Sequence, residues 1–462
     1  MNTITVLKFG GTSVTRAKHN IIKIVKKEKE KNKNVIIIFS AFTGITNNLY
    51  KLLDEPDKIR SNFNAYIKSY HDNFINENFR NIKIKTKLLD VLENINNSFL
   101  KIIDNFNVKN IAVNEFLDSI VCLGEKVSVQ IYKFLFMQEN LESCVCSSEL
   151  LITTNSQHQN AFPNMELTQR KINENLLSKM EKEKIILVTG FVAEDRNHKI
   201  TTLGRGGSDF TATIIGSCVN ADKIIIYTDV NGILTSDPKK NDKARTIQHL
   251  NYKHVSELAY FGAKVLHSKT LIPIISKHIP VFVKNTFNLD QKGTIIDNKK
   301  IKTNNIIDAI TSISDHRLIT VHGLGMQGTI GIAGKVLKAI NDTGESTPFI
   351  TQASSEQTIC FAINDKSCEL ICKKLLLEFE DEIKEKKIDR IKISEDICII
   401  TVVGVNIIGN CGVAGEVFSI LGRHDINILA ISQGTSEISI SFVIKKSLEV
   451  AAIKVLHTLI YK

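Results

Sequence analysis

The chain has 462 residues, a length that predicts two to four domains, because a single hydrophobic core does not grow that large. Hydrophobic residues make up 43% of it, but no apolar run reaches the ~18 residues of a transmembrane helix, which excludes such a helix. The net charge is +10, yet the lysines are dispersed among asparagines without interleaved aromatic residues, so we expect neither nucleic-acid nor membrane binding. A strand begins almost at the N-terminus, so we expect no signal peptide. The nine cysteines form no C-x-x-C pair, so we expect their thiols to be reduced and the protein to be cytoplasmic.

The first motif is VLKFGGTS, Val6 to Ser13, in which an apolar run ends at Lys8 and is followed by Gly10 and Gly11. The run predicts a strand, and the pattern from Arg16 to Glu28 predicts a helix after the turn. Two glycines let a ligand approach the backbone, whose N–H groups can bind an anion. Lys8 would then place an ammonium beside a polyphosphate. The alternative is an ordinary strand–turn–helix with a chance lysine, since neither the Walker nor the Rossmann glycine spacing is present.

Strands and helices alternate through the chain up to about residue 290. The predicted strands are Val35–Ser40, Lys184–Phe191, Lys223–Thr228 and Val281–Asn285, and the predicted helical regions are 63–140, Thr211–Val219 and 253–278. This alternation predicts an α/β domain with a mostly parallel central sheet between helices. Its polar loops follow the strand ends, where open α/β sheets bind ligands.

The second glycine loop, Leu203 to Asp209, has a composition that suits an amino-acid substrate. Arg205 offers a planar fork for a carboxylate, and Asp209 offers a partner for an ammonium group. The alternative for Ser208 and Asp209 is a helix N-cap, which would leave Arg205 and the three glycines unexplained. We therefore favour a substrate site here.

The remaining polar residues give weaker signals. Thr228 and Asp229 follow a predicted strand and fit either a tight turn or a nucleotide contact. Glu125 and Lys264, taken alone, look like ordinary surface charges. No Ser/His/Asp set for nucleophilic catalysis and no metal-like histidine cluster is evident in the sequence. Glycine turns that can bind an anion, together with a lysine, favour phosphoryl transfer, because positioning and charge neutralisation dominate that reaction.

Beyond a predicted linker at Gln291–Asn305, the sequence repeats itself. Residues Val321–Ile340 reappear as Val402–Leu421, and Ile350–Ile363 reappear as Ile431–Ile444, in both cases 81 residues later. A shared offset over two separate segments indicates an internal duplication. Each copy has the order strand, glycine loop, helix, strand, strand, helix, which predicts a pair of small βαββαβ domains that pack together.

Jointly and in order, these motifs resemble the aspartate kinases of the amino-acid kinase superfamily, with the duplicated part similar to tandem ACT regulatory domains. The resemblance rests on six segments: KFGGTS (Lys8–Ser13), SAFTGITN (Ser40–Asn47), LGEKVS (Leu123–Ser128), TLGRGGSD (Thr202–Asp209), YTDVNGI (Tyr227–Ile233) and YFGAKVLH (Tyr260–His267). It implies a kinase domain over 1–298 and regulatory repeats over 306–385 and 386–462, with strand exchange between the repeats. The repeated glutamine motif resembles the threonine-sensitive type that is often fused to homoserine dehydrogenase. Because the sequence stops at Lys462, we expect no dehydrogenase.

The resemblance implies the reaction ATP + L-aspartate to 4-phospho-L-aspartate + ADP, the first step towards lysine, threonine and methionine. It assigns roles by position: catalysis to Lys8 and Asp209; aspartate binding to Thr46, Glu125, Arg205 and Ser208; ATP binding to Lys8, Gly10, Gly11, Thr228, Asp229 and Lys264; and effector binding to Gln352, Asn427 and Gln433. Mg²⁺ would accompany ATP without a dedicated protein site. Feedback by threonine, or else lysine, and a homo-oligomer formed through the ACT-type domains are also implied.

Two positions depart from the family pattern, with Leu234 where tyrosine is expected and Lys239 where arginine is expected. We expect both departures to weaken contacts with ATP. Two other functions stay open at this point. One is a kinase for glutamate or a nucleoside monophosphate, and the other is an amino-acid sensor without catalysis.

Overall fold

The computed structural model describes residues 3–31, 34–52, 71–109, 112–180, 185–260, 266–299, 305–434 and 438–461. Contacts divide the chain into two units. The first is Met1–Ile233 with Gln248–Tyr252 and Val265–Lys299, and the second is Leu234–Ile247 with Lys253–Lys264 and Lys300–Lys462. Each unit is described by itself.

The first unit is built on a sheet of eight strands with short additional strands beside it. Its strands are β1 (Ile4–Phe9), β2 (Asn34–Phe39), β3 (Cys144–Cys146), β4 (Thr153–Thr154), β5 (Ile185–Thr189), β6 (Val192–Asp195), β7 (Ile200–Thr202), β8 (Lys223–Thr228), β9 (His249–Asn251), β10 (Val281–Asn285) and β11 (Thr294–Asp297). The main sheet has the order β3-β5-β2-β1-β8-β10-β11-β9, and β4, β6 and β7 form a separate small sheet. All pairs in the main sheet are parallel except β10 with β11.

Helices of the first unit pack on this sheet. They are α1 (Gly11–Arg16), α2 (Lys18–Lys31), α3 (Ile45–Leu52), a helix over 71–78, α4 (Ile82–Lys109), α5 (Val113–Val121), α6 (Leu123–Gln138), α7 (Met165–Ile172), a π-helical turn Asn173–Leu177, α8 (Ser178–Met180), α9 (Gly207–Cys218), α11 (Ile272–Ile275) and the 3₁₀ turns Ser148–Leu150 and Ser268–Leu271. The helix α10 (Tyr252–Tyr260) begins at Tyr252, and the rest of it belongs to the second unit. Every residue of β2 is buried, as expected of a central parallel strand covered on both faces. Tyr132 of α6 stacks on Phe39 with ring centroids 4.4 Å apart and donates a hydrogen bond to the Val14 carbonyl at 2.7 Å.

A segment that the sequence pattern assigned to a linker contains a strand. The predicted linker Gln291–Asn305 is wrong in part, because Thr294–Asp297 forms β11 and pairs with both β10 and β9. Thr294 and Ile296 are the buried residues of this strand. Two such residues form too short a pattern to predict a strand within a stretch rich in lysine and asparagine. After β5 the chain forms a further antiparallel pair, β6 with β7, which was not among the predicted strands.

The second unit contains one sheet of six strands with helices on it. The strands are β12 (Ala309–His322), β13 (Phe349–Gln352), β14 (Thr358–Asn364), β15 (Arg390–Val403), β16 (Ala430–Ser432) and β17 (Ser439–Lys445), in the order β13-β14-β12-β15-β17-β16. The helices are α12 (Ile332–Asn341), α13 (Cys368–Glu378), α14 (Glu380–Lys384), α15 (Val413–Gly422) and α16 (Glu449–His457), with short 3₁₀ turns at Leu324–Met326, Asp365–Ser367, Lys446–Leu448 and Thr458–Tyr461.

The long strands β12 and β15 run through both repeats. They pair with each other in antiparallel fashion over their length, with register shifts between Ile313 and His316 and between Arg317 and Ile319. The C-terminal half of β12 pairs with β14 of the first repeat, whereas the C-terminal half of β15 pairs with β17 of the second. Each repeat therefore contains half of a strand whose other half lies in its neighbour.

The second unit also includes a segment that lies far from the repeats in sequence. Thr235 Oγ1 is 2.9 Å from His457 Nε2, and Lys240 Nζ is 2.6 Å from Glu449 Oε1. Lys240 also donates to Ser312 Oγ at 2.8 Å, and the Ile310 amide donates to the Thr235 carbonyl. Leu234–Ile247 is thus fixed to α16 and to the first half of β12 by polar contacts that no local pattern could reveal.

Across the described ranges, no helix combines the length and the apolar character that crossing a membrane requires.

Candidate active site

The candidate site lies at the carboxyl ends of the central parallel strands. β1 pairs with β2 and β8, and the Gly10 amide donates to the Tyr227 carbonyl at 3.1 Å. A cavity of about 390 Å³ lies over this edge of the sheet. Its lining residues come from the end of β1, from the segments after β1, β2, β5 and β7, and from the starts of α3, α6 and α9: Lys8, Gly11, Thr12, Ser40, Ala41, Phe42, Thr43, Gly44, Thr46, Asn47, Glu125, Phe191, Gly204, Gly206, Gly207, Ser208 and Asp209.

The cavity wall contains an ion pair between Lys8 and Asp209. Lys8 Nζ lies 2.6 Å from Asp209 Oδ1, and both side chains are 11% exposed. Lys8 is held by β1, and Asp209 lies in the first turn of α9. That helix begins after Gly206, whose φ of 73° is a conformation that glycine adopts without steric cost. The N-terminus of α9 therefore brings its partial positive charge to the same cavity as the lysine.

Glu125 supplies a second carboxyl group to the cavity wall. It lies in the first turn of α6 and is 3% exposed. The Ala41 amide donates to its Oε1 at 3.2 Å, whereas Oε2 has no hydrogen-bond partner among the described residues. Burial raises the pKa of Glu125 to about 8. A buried carboxylate with one uncommitted oxygen beside a cavity is suited to accept a cationic group.

The Gly11 position requires the absence of a side chain. A Cβ there would lie 2.9 Å from the Ala41 carbonyl oxygen and 3.4 Å from the Thr43 amide nitrogen, both of them backbone atoms. The loop after β2 therefore packs directly on the glycine turn after β1. A similar fit occurs at Gly190, where a Cβ would lie 2.6 Å from Ser208.

We expect Gly11→Ala to lower kcat/KM at least about tenfold and the free energy of unfolding by roughly 1–3 kcal/mol, because the added methyl must displace backbone on the cavity wall. Steady-state kinetics and urea unfolding measure the two effects. Gly422→Ala is the matched control, since a Cβ there meets no atom within 4 Å. Equal behaviour of the two variants would contradict the close packing.

The structure brings most of the predicted substrate residues together, with one exception. Lys8, Thr46, Glu125, Ser208 and Asp209 all line the cavity. The side chain of Arg205, in contrast, is exposed and is not part of the lining, although it stands between two glycines that are. Its proposed contact with a carboxylate stays a prediction.

The predicted nucleotide residues are placed in part. Gly10 and Gly11 form the turn after β1, and a Cβ on Gly10 would lie 3.5 Å from Lys8 Nζ. Thr228 ends β8, the neighbouring strand, and its hydroxyl donates to Asp229 at 3.2 Å. Lys264 lies outside the described residues.

The two departures from the family pattern lie in the second unit. Leu234 forms an isolated β-bridge with Thr246, and the side chain of Lys239 is exposed. The weaker ATP contacts expected from Leu234 and Lys239 stay a prediction.

Phe191 is a site residue that the sequence pattern did not reveal. It lines the cavity with a φ of 71°, an uncommon conformation for a residue with a side chain. Two hydrogen bonds hold this conformation: the Phe191 amide donates to Thr211 Oγ1 at 2.9 Å, and its carbonyl accepts from the Leu203 amide at 3.0 Å. Strained backbone of this kind depends on the surrounding fold, so residue type alone gives no signal for it.

The predicted effector residues lie in the second unit. Gln352 ends β13 and lines a cavity of about 440 Å³ together with the glycine-rich segment 328–334 and Glu356. The Glu356 carboxylate accepts a hydrogen bond from the Gly328 amide at 2.9 Å. Asn427 and Gln433, in the second repeat, are both exposed.

Comparisons with known proteins agree with this architecture. A profile of the Amino acid kinase family matches residues 3–285, and an ACT domain profile matches 319–379 and 400–459. The bifunctional aspartokinase/homoserine dehydrogenase of Haemophilus influenzae is 32% identical over 466 residues, which covers 99% of this chain and 56% of that protein. Lysine-sensitive aspartokinase 3 of Escherichia coli is 27% identical over 474 residues, which covers 100% of both proteins.

Solved structures show the same relationship. The crystal structure of E. coli aspartokinase III in complex with aspartate and ADP superposes with a TM-score of 0.83 at 25% identity, and the match covers 99% of this chain and 100% of that one. This chain spans about half the length of the bifunctional relatives that it matches.

The predicted fold is confirmed, with a mostly parallel sheet in the kinase part and two ACT-type repeats after it. The family profile covers more than half of the 462 residues and contains both members of the Lys8–Asp209 pair. The chain therefore belongs to the amino acid kinase family.

Proposed function

We propose that the chain transfers the γ-phosphoryl group of ATP to the side-chain carboxylate of L-aspartate, giving 4-phospho-L-aspartate and ADP. The observation that carries the proposal is the position of Lys8 Nζ, 2.6 Å from Asp209 in a cavity that the buried Glu125 also lines. One end of the site thus offers a cation to a phosphoryl group, and another offers a carboxylate to an ammonium group. The aspartate and ADP bound to the E. coli relative support this assignment.

The reaction needs charge neutralisation rather than proton transfer. The acceptor carboxylate of aspartate is ionised near neutral pH, so no general base is required. One of its oxygens attacks the γ-phosphorus, and the bond from that phosphorus to the β,γ-bridging oxygen breaks to release ADP. Lys8 would place its ammonium beside the phosphoryl oxygens, and Asp209 would fix the direction of the Lys8 side chain.

The proposed aspartate site uses the other side of the cavity. Glu125 would accept the ammonium group of the substrate through its uncommitted Oε2. Thr46 and Ser208, which line the cavity, would hydrogen-bond the carboxylates. Arg205 would bind the α-carboxylate after its exposed side chain turns towards the cavity.

ATP would lie at the ends of β1 and β8, with its phosphates over the Gly10–Gly11 turn and with Thr228 and Asp229 at its nucleoside side. The accompanying Mg²⁺ would be held mainly by phosphate oxygens, as this ion commonly takes few protein ligands. Within the described part of the chain, no group of three His, Cys, Asp or Glu side chains is arranged to hold a metal ion.

A panel of acceptors tests the proposed substrate. With ATP and Mg²⁺, release of ADP should depend on L-aspartate and should not be supported by L-glutamate or by nucleoside monophosphates. Preference for glutamate or a nucleotide would assign the chain to another activity of the same family. The wild-type chain and coupled detection of ADP are sufficient for this measurement.

We further propose that an end-product amino acid inhibits the enzyme through the ACT-type repeats, which would also form a homo-oligomer. The repeated glutamine motif at Gln352 and Gln433 favours threonine, and the name of the E. coli relative makes lysine the second candidate. Gln352 lies on a cavity wall, whereas Gln433 is exposed. The proposed reaction is the first step towards lysine, threonine and methionine, so inhibition by threonine or by lysine would be feedback by an end product.

Threonine should lower the initial rate in a concentration-dependent way, and Gln352→Ala or Gln433→Ala should raise the half-inhibitory concentration several-fold without changing the uninhibited rate. The measurement is a titration of each amino acid at fixed ATP and aspartate. Inhibition by lysine alone would show that the choice of threonine is wrong.

A further inference from the structure

A buried carboxylate, Asp118, is not one of the residues that line the cavity. It belongs to α5 and is 0% exposed. It accepts hydrogen bonds from Thr202 Oγ1 at 2.5 Å, from Gln159 Nε2 at 2.6 Å and from the Gln159 amide at 3.1 Å, and His158 Nδ1 lies 2.7 Å from its Oδ2. A single carboxylate thereby connects a helix, a loop and the end of β7.

The conformation of Gln159 depends on these contacts. Its φ is 67°, in the left-handed region that a residue with a side chain seldom adopts. Such a conformation persists where surrounding contacts fix it. Two donors of Gln159 bind Asp118, and its side-chain oxygen accepts a hydrogen bond from the Tyr50 hydroxyl at 2.5 Å. Tyr50 lies on α3, the helix whose first turn carries Thr46 on the cavity wall.

The same segment supports the second glycine loop. A Cβ on Gly204 would lie 2.9 Å from the Gln159 carbonyl oxygen and 2.9 Å from Asn160 Oδ1, so the loop rests on residues 159–160 without space between them. Thr202, which also binds Asp118, directly precedes this loop in the chain. The contacts of Asp118 therefore reach both Gly204 and the helix that carries Thr46, and Gly204 and Thr46 both line the cavity.

We propose that Asp118 is a positioning residue for the acceptor substrate: through Gln159 and Thr202 it sets the distance between α3 and the Gly204–Ser208 loop. This inference rests on the proposed function, because Thr46 and Ser208 are there assigned to aspartate. The described residues assigned to ATP lie on or directly after β1 and β8, and no hydrogen bond joins any of them to Asp118, Gln159 or Thr202. Loss of Asp118 should therefore affect the acceptor more than the nucleotide.

Asp118→Asn is the first variant, because it keeps the size of the side chain but directs an amide N–H₂ at groups that are themselves donors. We expect the KM for aspartate to rise about tenfold or more and the KM for ATP to stay within about twofold. Glu115→Gln is the matched control: it removes the same charge from the same helix, but Glu115 pairs with Lys199 at 2.7 Å instead of with the loop. Its two KM values should be those of the wild type.

Tyr50→Phe is the second variant, and it keeps the inference testable if Asp118→Asn does not fold. It removes one hydroxyl and so one hydrogen bond, the one to Gln159. We expect the KM for aspartate to rise about threefold with little change in the KM for ATP. An unchanged KM for aspartate in both variants, or an equal rise for both substrates, would overturn the inference.

Hydrogen–deuterium exchange supplies a readout that does not depend on activity. In the wild type, the amides of Leu203, Gly207 and Phe210 donate to backbone carbonyls and should exchange slowly. They should exchange several-fold faster in Asp118→Asn and not in Glu115→Gln. If the wild type released no ADP with aspartate, the proposed function would fail, whereas unchanged exchange in Asp118→Asn would refute the positioning role itself.

Discussion

Replacing Lys8 by methionine should lower kcat roughly 10²- to 10³-fold, which is the usual effect of removing one electrostatic contact with a transition state. Lys8 Nζ is the cation that the cavity places beside Asp209, and methionine keeps much of the volume without the charge. Removing one partner of a buried pair also leaves the other charge uncompensated, so the free energy of unfolding should fall by roughly 3 kcal/mol. Steady-state kinetics and urea unfolding give the two numbers.

The two effects can be separated by a second substitution. Adding Asp209→Asn to Lys8→Met removes the uncompensated charge and should restore part of the stability, but no activity should return. Lys23→Met, on the exposed face of α2, is the matched control and should leave kcat unchanged. If the double variant regained activity together with stability, Lys8 would be a structural residue.

Glu125→Gln should raise the KM for aspartate about 10- to 100-fold while the KM for ATP stays within about twofold, because a neutral amide cannot pair with the substrate ammonium group. The same variant should be more stable than the wild type at pH 8. Burial raises the pKa of Glu125 from its usual 4.5 to about 8, so between these values the folded chain holds a proton that the unfolded chain has lost.

The sign of the pH dependence follows from this proton. The favourable contribution of protonated Glu125 is fully present below pH 4.5 and is lost as the pH rises towards about 8, at a rate of up to about 1.4 kcal/mol per pH unit. In the glutamine variant this contribution to the slope should disappear. Urea unfolding of both proteins at pH 5, 6.5 and 8 measures it. A stability difference between them that does not change with pH would contradict the buried, protonated state of Glu125.

The KM of the wild type for aspartate should also depend on pH. It should fall as the pH rises from 6.5 to 8.5, since ionisation of Glu125 creates the charge that binds the ammonium group. In Glu125→Gln, KM should depend less on pH over the same range.

The elements that the sequence predicted correctly are those with strong local signals. Val281–Asn285 and Lys223–Thr228 are strands with the predicted bounds, because each contains a run of apolar, mostly β-branched residues. The duplication of the regulatory part was predictable from the shared offset of its two segments. The linker at Gln291–Asn305 was wrong in part because β11 has only two buried residues, Thr294 and Ile296, and is defined by its pairing with β10.

The candidate site was predictable in its parts but not in its geometry. Lys8 and Asp209 stood out through their glycine-rich neighbours, yet their 2.6 Å contact depends on how β1 and α9 meet in three dimensions. Glu125 looked like a surface carboxylate, because its burial comes from packing of α6 against the loop that contains Ala41. Asp118 and Gln159 carried no signal at all, since their role depends on contacts between segments that are distant in sequence.

The most direct test of the central proposal is the release of ADP by the wild-type chain and by Lys8→Met, each with and without L-aspartate. Hydroxylamine in the same reaction would trap the acyl phosphate as a hydroxamate and identify the product. We predict ADP and hydroxamate in equal amounts from the wild type, only with aspartate present, and a rate lower by roughly 10²-fold or more from Lys8→Met. The absence of aspartate-dependent ADP from both proteins would contradict the proposed kinase activity and favour an amino-acid sensor without catalysis.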